Sequence, residues 1–490
     1  MLTINDILKT VKERNPNAIK MIEKSYKLAE YAHQGVYRES GEPYIIHPLN
    51  VAKNILDMEI YDQSTICAAL LHDTVEDNEE ITLNDITGLI DKETSELVDG
   101  VTKMRGMSFS SKEELNNANT RKIINGFTKD VRIILIKLAD RLHNMQTLEF
   151  KKPKKQKENA AETMELFVPL ALSIGAYKIH NELEDISLKY LEPEIYNRIL
   201  EKRTTYESLA REYLEEMKYK ISLILNDKGI PHEILIRMKN ICNIYRNILK
   251  GYRMENIYDL FYLKVLVNEV NDCFRSLAYV HSKYPPMNGT FKDYIYNPRT
   301  NYYQSLHTSV STTDEKLIKV KIRTFDMDKV SAFGIPAYWN LNPNKNSEEI
   351  PLYKSQIETQ DEIRSKHQFA KKLIEIDSYF AENEEFIREI KDELLTEHVY
   401  VYKHNGDIIE LPKGSTALDF VCEVYPELLS QLAGVIVNGK DCSVGQELKN
   451  NDRIQIETEG LIDYTNWENY VKTLNGRNKV KQLKNKNDNI

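Results

Sequence analysis

The chain has 490 residues, 41% of them hydrophobic and 29% charged, with mean hydropathy −0.51 and only 18 Gly and 15 Pro. That length exceeds one core and fits about three domains, and the scarcity of turn residues favours helix over an all-β design. A net charge of −9 offers no basic platform for DNA, and no apolar run reaches the roughly 18 to 20 residues of a membrane span. The start, MLTINDILKT, lacks the apolar core of an export signal. Five scattered cysteines (Cys67, Cys242, Cys273, Cys422, Cys442), never in CxxC spacing, argue against a disulfide framework or a zinc site. A cytoplasmic protein is the expectation.

From Asn17 to about Leu200 apolar residues recur at three- and four-residue spacing, as in AIKMIEKSYKLAEYAH and VRIILIKLADRLHNM, which predicts one α-helical domain. Within it LLHDTVED, Leu70 to Asp77, reads as one helix end on which Glu76 and Asp77 fall one turn beyond His72 and Asp73. A solvated acidic helix end is the plain alternative for these eight residues. Burying unpaired charge is costly, however, and two further ligand-capable residues lie elsewhere on the helical pattern: His47 in YIIHPL and Asp140 in KLADRLHNM. Two imidazoles and two carboxylates suit Mn²⁺ or another first-row metal, whereas an all-oxygen site suits Mg²⁺. Glu76 and Asp77 are then better placed to move protons than to ligate. Asn144 and Thr147 share a helix face with Asp140, and Arg38, in the loop GVYRESGEPY, is a planar donor for phosphate or a base. Pro48 reads as a first helical position.

After about Tyr219 short β-rich runs appear, such as YDLFYLKVLV and KLIKVKIRT, separated by helices and turns, so a mixed α/β domain is expected there. A polar helical pair from about Ser355 to Leu395 reads as a connector. From Glu397 to Glu459, VYVYKHNGDIIEL forms a hairpin about Asn405-Gly406, STALDFVCEVY a helix capped by Ser415 or Thr416, and GVIVNGKDC and RIQIETEG further strands. That order predicts a small ubiquitin-like sheet.

The segments AHQGVYRESGEPYIIHPLNVA, LLHDTVED, VDGVTK and IKLADRLHNM together resemble the HD-type hydrolase domain of the RelA/SpoT homologue family, which makes and breaks the alarmone (p)ppGpp. The resemblance implies an all-α hydrolase domain over 1–197, Mn²⁺ held by His47, His72, Asp73 and Asp140, and catalysis by Glu76 and Asp77. It also implies a guanosine site lined by Arg38, Ser40, Tyr44, Asn144 and Thr147, and release of pyrophosphate from the 3′ position to leave GDP or GTP.

RMKNICNIYRNI, NIYDLFYLKVLV, DCFRSLAYVHSKYPPMNGTFKDYI, NPRTNYYQSLHTSV and KVKIRT are similar, in that order, to the family's pyrophosphokinase domain. This implies a nucleotidyltransferase-like α/β domain over 198–345, with Asp259 for Mg²⁺, Arg237, Lys239, Lys292 and His307 for phosphates, and Tyr303 stacked on guanine. The chain departs from the pattern where it matters. Lys319-Val320-Lys321 stands where the family has a glutamate and a glutamine, Lys264 and Thr290 where it has arginines, Asp328 for a histidine and Phe333 for a glutamate. Lysine cannot ligate Mg²⁺ and brings positive charge where the reaction wants a carboxylate. The expectation is a degenerate synthetase with a vestigial site at Arg237, Lys239, Asp259, Lys292, Tyr303, His307 and Lys319, and Mg²⁺ only if it is active.

A helical connector then covers 346–395, and 396–459 resembles the β-grasp TGS domain, which implies contact with the ribosome, tRNA or a regulatory protein, with His404 at a position such contacts use. Residues 460–490 read as the start of a further helical domain or a disordered, frayed tail; the zinc-finger and ACT modules of long members lie outside this sequence. The leading expectation is Mn²⁺-dependent hydrolysis of (p)ppGpp. The alternatives are a bifunctional synthetase and hydrolase, a catalytically silent ribosome-associated alarmone sensor, and a general HD phosphohydrolase acting on dNTPs or cyclic dinucleotides.

Overall fold

Helices α1 (Ile4–Lys12), α2 (Ile19–Ala32), α3 (Ile46–Asp57), α4 (Gln63–Leu71), the single turn α5 (Thr74–Asp77), α6 (Leu83–Leu89), α7 (Lys92–Val101), α8 (Lys112–Lys129) and α9 (Val131–Gln146) open the chain. The structure, a computed structural model, describes residues 2–103, 111–334 except 255–256, 258, 297, 299–302 and 313–315, then 373, 376–378, 380, 382–395, 398–458 and 466–487. Most of the expected connector therefore lies outside the described residues, apart from the helix Asn383–Leu395 and a few positions before it. Two compact units are present, Met1–Leu394 and Leu395–Ile490.

In the first unit α4 and α9 are the central helices. Ser64 to Leu71 are all buried, as an apolar segment with no polar face must be. Asp62 caps α4 by accepting from the Thr65 N–H at 2.9 Å, and Asp130 caps α9 by accepting from Arg132 N–H at 2.9 Å. Helices α2, α3 and α7 pack on α4, and α3, α7 and α8 on α9. Gly100 allows the α7–α9 approach, since a Cβ there would lie 2.4 Å from Ile133 Cδ1. α3 begins at Ile46, so Pro48 stands at its third position, where its missing N–H still costs no helical bond.

Helices α10 (Pro153–Glu162), α11 (Val168–Ser173) and α12 (Tyr177–Leu191) lead to α13 (Pro193–Asp227). The expected divide at 197/198 falls inside α13, a continuous helix of 35 residues; the chain breaks instead at Glu192, with Pro193 opening the new helix. Ala210, Leu214, Met217, Ile221 and Leu225 of α13 are buried against the sheet that follows.

That sheet comprises β1 (His232–Met238), β2 (Phe261–Val267), β3 (Lys292–Asp293), β4 (Leu306–Ser311) and β5 (Leu317–Thr324), in the order β1-β2-β5-β4-β3. Only the β2–β5 pairing is parallel. Leu263, Val265, Val320 and Ile322 are fully buried in one core with residues of α13 and of the helix Val270–Lys283, each contributing about 1.5–3 kcal/mol of apolar burial. Helices α14 (Ile241–Leu249), α15 (Val270–Lys283) and α16 (Phe325–Phe333) complete the region.

The helical and sheet regions meet closely at α12 and at the turn after α11. Asp185 of α12 accepts the Ile241 and Cys242 N–H groups at 3.2 and 2.9 Å, capping α14 from another helix, while Glu184 beside it is fully buried against Arg246 and Asn240. Gly334, at φ +71°, lies against the turn after α11, where a Cβ would fall 2.0 Å from the Ile174 carbonyl oxygen.

In the second unit β6 (His398–Lys403) and β7 (Ile408–Pro412) form the hairpin, with Gly406 at φ 94°, and β8 (Gly434–Val437), β9 (Lys440–Cys442) and β10 (Arg453–Glu457) complete a sheet ordered β7-β6-β10-β8-β9. Helix Ala417–Val424 starts with a Thr416–Asp419 capping box. Residues 467–470 and 474–487 are helical, as the first of the two readings of this stretch, the start of a helical domain, expects. Trp467, Val471 and Val480 are buried in this core, and Asp419, 1% exposed, accepts the Lys472 and Thr473 N–H groups. No described helix is long and apolar enough to cross a membrane. Cys67, Cys242, Cys273 and Cys422 are buried free thiols, and Cys442 is half-buried.

Candidate metal centre

The predicted single helix through LLHDTVED is broken. α4 ends at Leu71, and His72 and Asp73 form a turn before α5 carries Glu76 and Asp77. The turn is what lets His72 face inward. Its Nδ1 lies 2.9 Å from the Ala69 carbonyl, an acceptor only, so Nδ1 carries the proton and Nε2 is turned to the site with its lone pair.

His47 reaches the same point from α3. Its Nε2 is 3.2 Å from His72 Nε2, 3.5 Å from Asp73 Oδ2 and 3.3 Å from Asp140 Oδ1; Asp140 Oδ1 is 3.8 Å from His72 Nε2. Ligand atoms ~2.1 Å from one ion lie ~3.0–3.4 Å apart, so this spacing fits a single divalent cation. His47, His72 and Asp73 form a cluster able to hold a metal, and Asp140 joins it at the distances given. All four are buried or nearly so.

The charges say the same. Burial opposes the charge on His72, yet Asp73 and Asp140 overcome it and raise its pKa to about 9, so without an ion the site draws a proton to Nε2, the place a metal cation would take. Burial likewise opposes ionisation of Asp73 and Asp140, but His72 and His47 for the first, and Lys137 and the same histidines for the second, hold both well below the usual carboxylate range. Two buried carboxylates demanding positive charge at their common centre are what a divalent ion satisfies.

Around the cluster a second layer fixes each ligand. Tyr44 OH donates to Asp73 Oδ2 at 2.7 Å; burial and Asp73 push its pKa far up, so it stays a donor. Asn144 Nδ2 donates to Asp140 Oδ1 at 2.5 Å and Lys137 Nζ to Asp140 Oδ2 at 2.8 Å. Arg38 donates from Nη2 to Asn144 Oδ1 at 2.9 Å and from Nη1 to His143 Nδ1 at 3.0 Å. Because Arg38 can only donate, His143 Nδ1 is an acceptor, and His47 Nδ1, 2.7 Å away, must donate to it. That leaves His47 Nε2 as a lone pair facing the cluster. Burial, then His47 and Arg38, push His143 down to about 3, consistent with a neutral acceptor.

The remaining residues lie further out. Glu76 accepts from the Lys103 N–H and Nζ, both at 2.7 Å, and Asp77 Oδ2 is 3.4 Å from Nε2 of His33, whose ring stacks on Tyr44 at 4.7 Å. Ser40 Oγ contacts Glu42 at 3.3 Å, and Thr147 Oγ1 returns to the His143 carbonyl at 3.0 Å. Sequence reasoning missed His143, Lys137, His33 and Lys103. His143 and Lys137 lie three residues either side of Asp140, on its helical face, a spacing that could have shown them; nothing local ties Lys103 to Glu76.

In the sheet region Asp259 is held by Lys239 and, at 3.4 Å, by Lys319. Burial opposes it, but Lys239 and then Lys319 keep its pKa low. Lys264 Nζ is 2.7 Å and Arg323 Nη2 2.8 Å from Asp328 Oδ1. Tyr303, expected to stack on a base, is 7% exposed, with its hydroxyl 2.7 Å from His307 Nε2. Lys292 and Arg237 are exposed.

Residues 25–176 match the family model described as an HD domain, 236–346 the region found in RelA / SpoT proteins, and 399–458 the TGS domain. The chain is 37% identical over 469 residues to a probable guanosine-3′,5′-bis(diphosphate) 3′-pyrophosphohydrolase of Synechocystis sp., covering 94% of this chain and 60% of that protein. It is 35% identical over 488 residues to the guanosine-3′,5′-bis(diphosphate) 3′-pyrophosphohydrolase of Aquifex aeolicus, covering 98% and 67%. A bifunctional (p)ppGpp synthase/hydrolase SpoT of Escherichia coli is 36% identical over 468 residues, covering 95% and 65%. The chain thus spans between 60% and 67% of the length of these relatives.

Proposed function

The chain belongs to the RelA/SpoT homologue family, and from that premise we propose that its helical region hydrolyses (p)ppGpp, releasing pyrophosphate from the 3′ position, with Mn²⁺ as the ion. The observation that carries this reading is the convergence of His47, His72, Asp73 and Asp140, with both histidine lone pairs set toward one point by Ala69 and by the Arg38–His143 pair. Mixed nitrogen and oxygen donors favour Mn²⁺ over Mg²⁺. Bound there, the ion supplies Lewis acidity toward water and phosphate oxygens.

The chain's own groups do the rest. Tyr44, Asn144 and Lys137 orient the two carboxylates, and Arg38, fixed by Asn144 and His143, presents its guanidinium edge toward an anionic substrate. Glu76, aligned through both oxygens by Lys103, and Asp77 beside His33 exchange protons with the attacking water and the departing pyrophosphate. Ser40 and Thr147 line the nucleoside side.

For the sheet region we propose that pyrophosphate transfer is lost. The carboxylate suited to Mg²⁺, Asp259, is already neutralised by two ammonium groups, and Lys319 is one of them. For residues 396–459 we propose a binding role toward the ribosome, tRNA or a regulatory protein, supported by the TGS match and the exposed hairpin turn at His404. Buried free thiols support a cytoplasmic setting.

Two reactions run side by side test the reading. The chain with ppGpp and Mn²⁺ should release GDP and pyrophosphate; with ATP, GDP and Mg²⁺ it should make no ppGpp. Persistence of ppGpp in the first reaction refutes the hydrolase, and ppGpp formed in the second refutes the loss of synthesis in favour of a bifunctional enzyme.

A further inference from the structure

His33 is a buried imidazole with one nitrogen left over. It forms the C-terminal cap of α2, and its side chain is 0% exposed. Nδ1 lies 2.8 Å from the Ala29 carbonyl, which can only accept, so Nδ1 carries a proton. Nε2 is buried and makes no hydrogen bond; it faces Asp77 Oδ2 across 3.4 Å.

With its only proton on Nδ1, the ring would turn a lone pair toward a carboxylate where water does not reach. Two acceptors set against each other repel, and a second proton, on Nε2, converts the contact into an ion pair. Burial opposes that charge. Three features favour it. Asp77 supplies the opposite charge, the carbonyl end of the 14-residue α2 carries the negative end of its dipole, and the Tyr44 ring stacks on the imidazole at 4.7 Å and 20°, as an aromatic face holds a flat cation. The other helices packed on α2 add no charge at this point. The charged residues of α1, Asp6, Lys9 and Lys12, are exposed, and α4 has no charged residue between Gln63 and Leu71. Burial pushes the α4 thiol, Cys67, up to about 12, and Glu76 of α5 is bonded to Lys103.

Asp77 is open where His33 is closed. Its side chain is 37% exposed, so the buried imidazole meets the site through this carboxylate.

We propose that His33 is the positioning residue of Asp77, aligning the carboxylate and supplying the proton it hands on. The inference rests on the hydrolase reading. Before reaction the imidazolium donates from Nε2 to Asp77. As the oxygen of water bonds to phosphorus and the phosphorus–oxygen bond to the leaving group breaks, the Nε2 proton passes to Asp77 and on to the leaving oxygen. His33 is then neutral, still bonded to Ala29. The proton lost by water goes to Glu76 and on to solvent, and the His33–Asp77 pair takes one back through the exposed carboxylate, so the protons balance.

Two measurements test this. Histidine-selective nitrogen NMR of the full chain reads the protonation of His33 directly; it is recorded without Mn²⁺, whose unpaired electrons broaden nearby signals, and His33→Gln assigns the resonance by its loss. At neutral pH both ring nitrogens should be protonated, and in Asp77→Asn the ring should become neutral. A neutral His33 in the parent overturns the proposal, whether or not the chain hydrolyses ppGpp. In turnover of ppGpp with Mn²⁺, His33→Gln, whose amide still donates to Asp77, should lower kcat about 10²-fold, the low end for a lost proton-transfer function, with KM and Mn²⁺ affinity unchanged. It should also lose the decline in kcat that the parent shows as rising pH strips the imidazolium. The parent's kcat in the variant, or a reduced kcat with the parent's pH profile intact, overturns the proposal; circular dichroism checks the fold. A parent that leaves ppGpp intact refutes the hydrolase reading, and the NMR result then decides alone whether the pair holds its proton.

Discussion

Replacing His143 with alanine is the sharpest probe of the metal centre, because this residue touches no proposed ligand atom turned toward the ion. Its Nδ1 accepts from His47 Nδ1 at 2.7 Å and from Arg38 Nη1 at 3.0 Å. In His143→Ala the His47 N–H, in a ring 2% exposed, loses its acceptor, and the tautomer that aims Nε2 at the cluster loses its support. Leaving a buried donor unsatisfied costs about 1–3 kcal/mol. At about 1.4 kcal/mol per tenfold this matches the ~10- to 100-fold loss of metal affinity typical when such an outer partner is removed. Mn²⁺ binding followed by electron paramagnetic resonance should therefore show a dissociation constant raised by one to two orders of magnitude, with far-ultraviolet dichroism intact. A variant that binds Mn²⁺ as the parent does would refute the tautomer relay.

Other outcomes follow from the same geometry. Glu76→Gln should keep Mn²⁺ affinity while cutting ppGpp turnover by roughly 10²- to 10⁴-fold, whereas Asp73→Ala should lose the metal itself; equal metal loss in both would contradict the division of roles. Gly334→Ala forces a Cβ to within 2.0 Å of the Ile174 carbonyl oxygen at positive φ, so the melting temperature should fall; an unchanged melt would mean that the α11–α16 contact yields at no cost. The Lys321 pKa of about 7 lies below the lysine's ordinary value, so between pH 7 and the ordinary range the unfolded chain holds the extra proton. Stability should rise with pH across that window and lose that slope in Lys321→Met, as read from urea midpoints.

What was readable in the sequence was chemistry carried by local spacing. His72 beside Asp73, and Asn144 one turn after Asp140, announce themselves, and the structure brings His47, His72, Asp73 and Asp140 to one point. What was not readable depends on distance along the chain. Lys103 meets Glu76 across 27 residues, and Arg38 meets His143 across 105. The turn at His72–Asp73 was hidden because His72 and Asp73 both keep right-handed dihedrals, so helical periodicity runs through the break. The expected divide at 197/198 falls inside α13, whose Ile195, Tyr196 and Ile199 continue the apolar spacing of the preceding helices and mark no end of the helical pattern there. Of the two readings of residues 460–490, a further helical domain or a frayed tail, the polar stretch LNGRNKVKQLKNKN left both open, and among the described residues Trp467, Val471 and Val480 dock these helices on the core.

One hydrolytic metal centre per chain, acting on a 3′-diphosphate, is what the proposed function requires. Metal-stripped chain titrated with Mn²⁺ in the presence of ppGpp tests it most directly, with intact pyrophosphate as the product read. Turnover should rise to saturation at one Mn²⁺ per chain and yield equal amounts of GDP and pyrophosphate. Orthophosphate released stepwise, or ppGpp untouched at saturating Mn²⁺, would contradict the account.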